Sequence, residues 1–135
     1  MKILSESEVK GIMVKSIRAA GGYAKRIEDQ FSVGFPDTIL IPRGYPVFFA
    51  EVKIVKGQQF GPTPRQYVEL CRIADAMIWD KPFHAIPILI GFKMGTYYFH
   101  ELAEVVQLRD CFSVTDGFMN FNDQLVQFYR GRIKQ

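Results

Sequence analysis

Residues 34–53 read Gly34-Phe35-Pro36-Asp37-Thr38-Ile39-Leu40-Ile41-Pro42-Arg43-Gly44-Tyr45-Pro46-Val47-Phe48-Phe49-Ala50-Glu51-Val52-Lys53. Pro42, Gly44 and Pro46 punctuate a compact turn between two apolar runs, which predicts a β-hairpin of strands 37–41 and 47–54. The second run is apolar through Ala50, as expected of a central strand covered on both faces. It then ends in an acid and a base, Glu51 and Lys53. Side chains alternate along a strand, so these two share a face and Val52 takes the other. Taking a carboxylate and an ammonium out of water is costly unless they pair or bind something.

A turn centred on Gly44 pairs residues whose numbers sum to 88. Ile41 then faces Val47, Ile39 faces Phe49, and Asp37 faces Glu51. Facing Cβ atoms lie about 4.5–5.5 Å apart, and like charges so placed destabilise a sheet. Two carboxylates there ask for a cation, although a slip of one residue would send one acid to the opposite face. Magnesium accepts few carboxylates, keeps several waters and takes phosphate as a further ligand. A lysine beside such an ion polarises a water or stabilises charge developing on phosphorus. One reading is therefore metal-dependent phosphodiester hydrolysis. The other is structural: a Glu51–Lys53 salt bridge at a strand end, with Asp37 capping a turn after Pro36.

Outward from the hairpin, residues 5–20 carry Val9, Ile12, Met13, Ile17 and Ala20 on one helical stripe, ended by Gly21-Gly22. A short strand at 23–27 follows, and residues 57–63 read as a loop. Thr63-Pro64 starts a helix running to about Trp79. Strands at 84–92 and 97–100, a short helix at 101–108 and a final helix at 122–133 complete the order αβββαββαα. The predicted class is α/β, a central mixed β-sheet flanked by helices. Phe121, Leu125, Val126, Phe128 and Tyr129 give the last helix a broad apolar surface that either closes the core or forms a dimer interface.

The chain has 135 residues, 48% of them apolar and 23% charged, which fits one globular domain and argues against disorder. No apolar run approaches the roughly 20 residues of a membrane helix. The opening residues hold no cleavable apolar segment, so an intracellular protein is expected. Cys71 and Cys111 lack CxxC spacing, which predicts free thiols. The net charge is only +3, but Lys10, Lys15, Arg18, Lys25 and Arg26 are interrupted by no acid from residue 11 to 26, and Arg130, Arg132 and Lys134 crowd the end. Such clusters suit a polyanion or a solvated surface. His84 and His100 read as structural, Trp79 and Tyr97-Tyr98-Phe99 as core before base stacking, and Gly44 and Gly57 as turn residues.

Pro36-Asp37 followed after fourteen residues by Glu51-Val52-Lys53 resembles the PD-(D/E)XK nuclease signature. The wider stretch, with the opening helix and Gln66, is similar to the VRR-NUC branch, related to Holliday-junction resolvases. The resemblance spans residues 6–90. It implies a restriction-endonuclease-like fold, a single nuclease domain over 1–135 with 101–135 as a helical extension, and a magnesium- or manganese-dependent endonuclease acting on branched or structured DNA. Asp37 and Glu51 would ligate the metal with the main-chain carbonyl of Val52, and Lys53 would orient the attacking water. Glu6 would complete the site from the first helix, and Gln66 would sit near the scissile phosphate. Glu8 rivals Glu6, but Ser5 with Glu8 also forms a capping box, as does Thr63 with Gln66. Related nucleases tend to be homodimers. Departures are also present: Lys10 stands where a second helix glutamate is expected, loops 28–32 and 57–61 nearly lack positive charge, and loop 53–66 is long. The rivals are a noncatalytic DNA-binding or assembly module with this fold and a salt-bridged structural protein.

Overall fold

The computed structural model of the chain describes residues 3–27, 34–77 and 85–133. Its elements are α1 (Glu6–Ala19), β1 (Tyr23–Arg26), β2 (Thr38–Ile41), β3 (Val47–Ile54), β4 (Gln59–Phe60), α2 (Pro64–Met77), β5 (Ala85–Lys93), β6 (Thr96–Glu101), β7 (Val106–Gln107), a 3₁₀ turn (Leu108–Asp110) and α3 (Phe121–Ile133). Trp79 and His84 lie outside the described residues, as does the loop before Gly34.

Local chemistry sets the ends of α1. The Ser5 side chain accepts from the Glu8 N–H while the Glu8 carboxylate accepts from the Ser5 N–H, a complete capping box. At the other end Gly22 donates to the Ile17 carbonyl and Gly21 to Arg18, a Schellman closure with Gly21 at φ 86°.

Five strands form the main sheet in the order β1-β2-β3-β5-β6. Among the described residues only the β3–β5 pairing is parallel, and α2 lies on the crossover that parallel neighbours need. The sheet separates two cores. Val9, Met13 and Ile17 of α1 pack with Leu125 and Phe128 of α3 on one face, against Phe48, Ala50 and Val52 of β3. Leu70 of α2 packs with Val55, Phe60, Leu89 and Val106 on the other. Phe121, Leu125 and Phe128 are thus spent inside this chain, with Phe99 stacked between the rings of Phe121 and Phe128.

Two stretches differ from the sequence expectation. Residues 101–108, expected to be helical, instead finish β6, cross to β7 and enter the 3₁₀ turn. Residues 57–63, expected as loop, contain β4, which pairs antiparallel with β7 through Gln59 to Gln107 and Phe60 to Val106. The reason is tertiary: Val106 and Leu108 point inward at a spacing of two onto Phe60 and Val55, and that burial outweighs weak helix propensity.

Candidate active site

The hairpin has the register that a turn at Gly44 dictates: Leu40 pairs with Phe48, Ile39 with Phe49 and Thr38 with Ala50. Just beyond the last pair, the Asp37 side chain reaches across the hairpin, and its Oδ2 accepts the Val52 N–H at 3.0 Å. Its carbonyl accepts from the Ile27 N–H at 2.9 Å, so the residue is held from both sides. Asp37 is therefore bound to β3 and is not a simple turn cap.

Glu51 stands next to this contact at 0% exposure. Alternation on β3 turns it away from the face that carries Phe48, Ala50 and Val52. Neither carboxylate oxygen has a partner of normal hydrogen-bond geometry among the described residues, although the Asp37 backbone N–H is close enough to favour its charge. Burial, reinforced by the nearby Asp37 charge, pushes the Glu51 carboxyl up to about 8, while Lys53 and Lys10 pull the other way. Among the described residues no direct ion pair joins Glu51 to Lys53, although the ammonium is near enough to favour the charged carboxylate. A buried carboxylate with two idle oxygens has the chemistry of a cation ligand, because leaving it unpaired is expensive.

The opening helix adds Glu6 and Lys10 to the same corner. Lys10 Nζ lies 3.2 Å from Asp37 Oδ1 and 3.6 Å from Glu6 Oε1. Glu6 thus connects to Asp37 through an ammonium and not directly. The glutamate at position 8 is committed to the capping box. Consistent with that wedge, no three Asp, Glu, His or Cys side chains among the described residues converge enough to hold a metal by themselves. The sequence marked Lys10 as part of a basic stretch and as a departure; its i, i+4 spacing from Glu6 was the available signal for the pair.

Gln66 caps α2. Its Oε1 accepts from the Thr63 N–H at 2.8 Å, and Thr63 Oγ1 accepts from the Gln66 N–H at 3.3 Å. The first turn of α2 also abuts the chain just ahead of Asp37: a Cβ on Gly34 would fall 2.8 Å from the Arg65 carbonyl oxygen, and Gly34 has φ 89°. The start of α1, the open end of β2–β3 and the start of α2 therefore surround one corner of the sheet.

The remaining candidates have structural duties. His100 Nδ1 lies 2.7 Å from the Glu101 carbonyl oxygen. Tyr97 and Phe99 are core residues. Arg18 donates to the Ala24 carbonyl, Arg26 to Ser7, and Arg130 to the Tyr45 hydroxyl, so much of the basic stretch tacks elements together. Both cysteines are free, and burial pushes the Cys111 thiol up to about 11.

No family model matches the chain, and no curated protein is significantly similar to it. A solved structure is similar: Archaeoglobus fulgidus Hjc, a Holliday junction resolvase from an archaeal hyperthermophile, with a TM-score of 0.61 and 12% identity, covering 82% of this chain and 93% of that one. The fold is the restriction-endonuclease-like architecture of that nuclease, a mixed sheet with three helices. At this identity the likeness concerns the fold, and function must be argued from the corner built by Asp37 and Glu51.

Proposed function

We propose that the chain is a metal-dependent endonuclease of the PD-(D/E)XK superfamily, VRR-NUC branch, that hydrolyses phosphodiester bonds in branched or otherwise structured DNA. The carrying observation is Glu51: fully buried, without a partner of normal hydrogen-bond geometry among the described residues, beside Asp37, at the rim of a resolvase-like sheet. The donor set fits a hard divalent ion, magnesium or manganese, because both residues offer carboxylate oxygen and one of them has nothing else to bind.

Glu51 and Asp37 would hold the ion, with the Val52 carbonyl as main-chain support. When bound, the ion supplies Lewis acidity and a water acidic enough to act as nucleophile. Val52 N–H fixes the Asp37 carboxylate in one orientation, so its geometry is set before substrate arrives. Lys53 orients the attacking water and stabilises negative charge developing on phosphorus. Gln66, at the start of α2, lies near the scissile phosphate, and Glu6 completes the acidic corner. In-line attack leaves 5′-phosphate and 3′-hydroxyl ends. We also propose an intracellular homodimer, since symmetric resolution of a four-way junction needs two cuts related by a two-fold axis. No helix among the described residues is long and apolar enough to cross a membrane.

One observation favours a second reading. Lys10 already sits on Asp37, as it would in a noncatalytic DNA-binding module that had lost its metal. A labelled panel of four-way junction, flap, bubble, duplex and single strand, incubated with magnesium or manganese, separates the two. The endonuclease cleaves at least one substrate, and Glu51→Ala and Lys53→Ala lose that cleavage. Binding with steep salt dependence and no cutting supports the module. Full activity in both variants sinks the assignment.

A further inference from the structure

Lys10 projects from α1 into the acidic corner with its side chain only 16% exposed. It is shared between two acids on different elements, Asp37 at 3.2 Å and Glu6 at 3.6 Å. Asp37 consequently has both oxygens engaged, Oδ1 by this ammonium and Oδ2 by the Val52 N–H, whereas neither Glu51 oxygen has a partner of normal hydrogen-bond geometry among the described residues. A surface lysine opposite Glu6 alone would be an ordinary i, i+4 pair of small consequence. Contact with a part-buried aspartate twenty-seven residues away, at the entry to β2, is a different arrangement.

We propose that Lys10 is the built-in second cation of the site, so that the protein takes one divalent ion at Glu51 and Asp37 and no second ion between Asp37 and Glu6. This rests on the metal-dependent reading above. The charge balance supports it. Among the described residues, with Glu51 ionised, three carboxylates face two ammonium groups, Lys10 and Lys53, and leave one net negative charge. One divalent ion turns this into a single positive charge, which one phosphodiester neutralises. A second ion would leave three positive charges in a corner where Asp37 is 19% exposed and Glu51 is buried, an arrangement that repulsion disfavours. The position of the ammonium gives the steric half of the argument, because an ion ligated by both Glu6 and Asp37 would need the space that Nζ occupies. The absence of any three-acid cluster among the described residues agrees with it.

The test is manganese stoichiometry by calorimetry and electron paramagnetic resonance on the full chain without DNA. Wild type and Lys10→Arg are expected to bind one ion with an uncoupled spectrum. Lys10→Gln is expected to bind two, with the line broadening of neighbouring spins. Should Lys10→Gln not fold, Lys10→Met keeps the aliphatic stem, drops the charge and answers the same question. Two ions in wild type, or one ion in the neutral variants with unchanged affinity, overturns the role given to Lys10 and leaves the nuclease reading standing. No manganese bound by wild type or any variant overturns the metal-dependent reading and this proposal with it.

Discussion

Thr38 and Glu51 lie one rung apart in the β2–β3 hairpin, and each is 0% exposed. Thr38 donates its hydroxyl to the Ala50 carbonyl at 3.3 Å, so its polarity is absorbed by the fold. Glu51 has the greater need and receives less: neither oxygen has a partner of normal hydrogen-bond geometry among the described residues, and the charged neighbour that shifts it most is another acid. Buried polar groups are normally satisfied, because an unmade hydrogen bond forfeits the full cost of desolvation. The contrast within one hairpin teaches that the interior rungs were built for stability and the open end was not. Such local cost without internal compensation is characteristic of a site that waits for a ligand.

The largest expected difference is in cleavage. Glu51→Ala should lower the rate on the preferred DNA by about 10³-fold or more, as for loss of a principal electrostatic contributor, and Thr38→Val should leave it within a few-fold. Single-turnover cleavage of the labelled substrate measures both, and equal losses would erase the functional contrast. The next effect is on pH. An acid whose folded value is raised from 4.5 to about 8 keeps a proton in the folded state that the unfolded state has released, so stability falls as pH rises through that window. Metal-free wild type should therefore lose up to several kcal/mol between pH 5 and pH 8 relative to Glu51→Gln. Urea unfolding of the two proteins at both values checks this, and parallel pH profiles would contradict it.

Metal should reverse that penalty. Magnesium at about 100 times its dissociation constant is worth about 2.7 kcal/mol to a folded state that alone binds it. Wild type should show this gain as a higher melting temperature at pH 8, and Glu51→Gln should show almost none of it. The smallest effect belongs to the satisfied rung. Thr38→Val removes one buried hydrogen bond of nearly unchanged shape and should cost about 1 kcal/mol in chemical denaturation, with no dependence on magnesium.

Much of the frame around this contrast was legible in the sequence. Proline and glycine around residue 44 set the turn, the turn set the register, and that register, carried one step past Thr38 and Ala50, brings Asp37 level with Glu51. The capping pairs Ser5–Glu8 and Thr63–Gln66 followed from local spacing alone. The β4–β7 ribbon was not legible. Two-residue strands carry almost no periodicity, and Phe60 and Val106 are brought together by long-range packing.

By itself the sequence determined the elements whose pattern is local: a capped amphipathic helix, a punctuated hairpin, and an acid and a lysine on one face of a buried strand. Tertiary structure alone decided which charges meet. Lys10 and Asp37 are twenty-seven residues apart, and nothing in their neighbourhoods along the chain announces a 3.2 Å contact. Nor does the sequence say that Glu51 would be left without a partner while Asp37 takes the Val52 N–H. Periodicity and turn chemistry act over a few residues, so they specify faces and registers. Pairing between distant side chains depends on how helices dock across the sheet, and docking is chosen by the packing of the whole core.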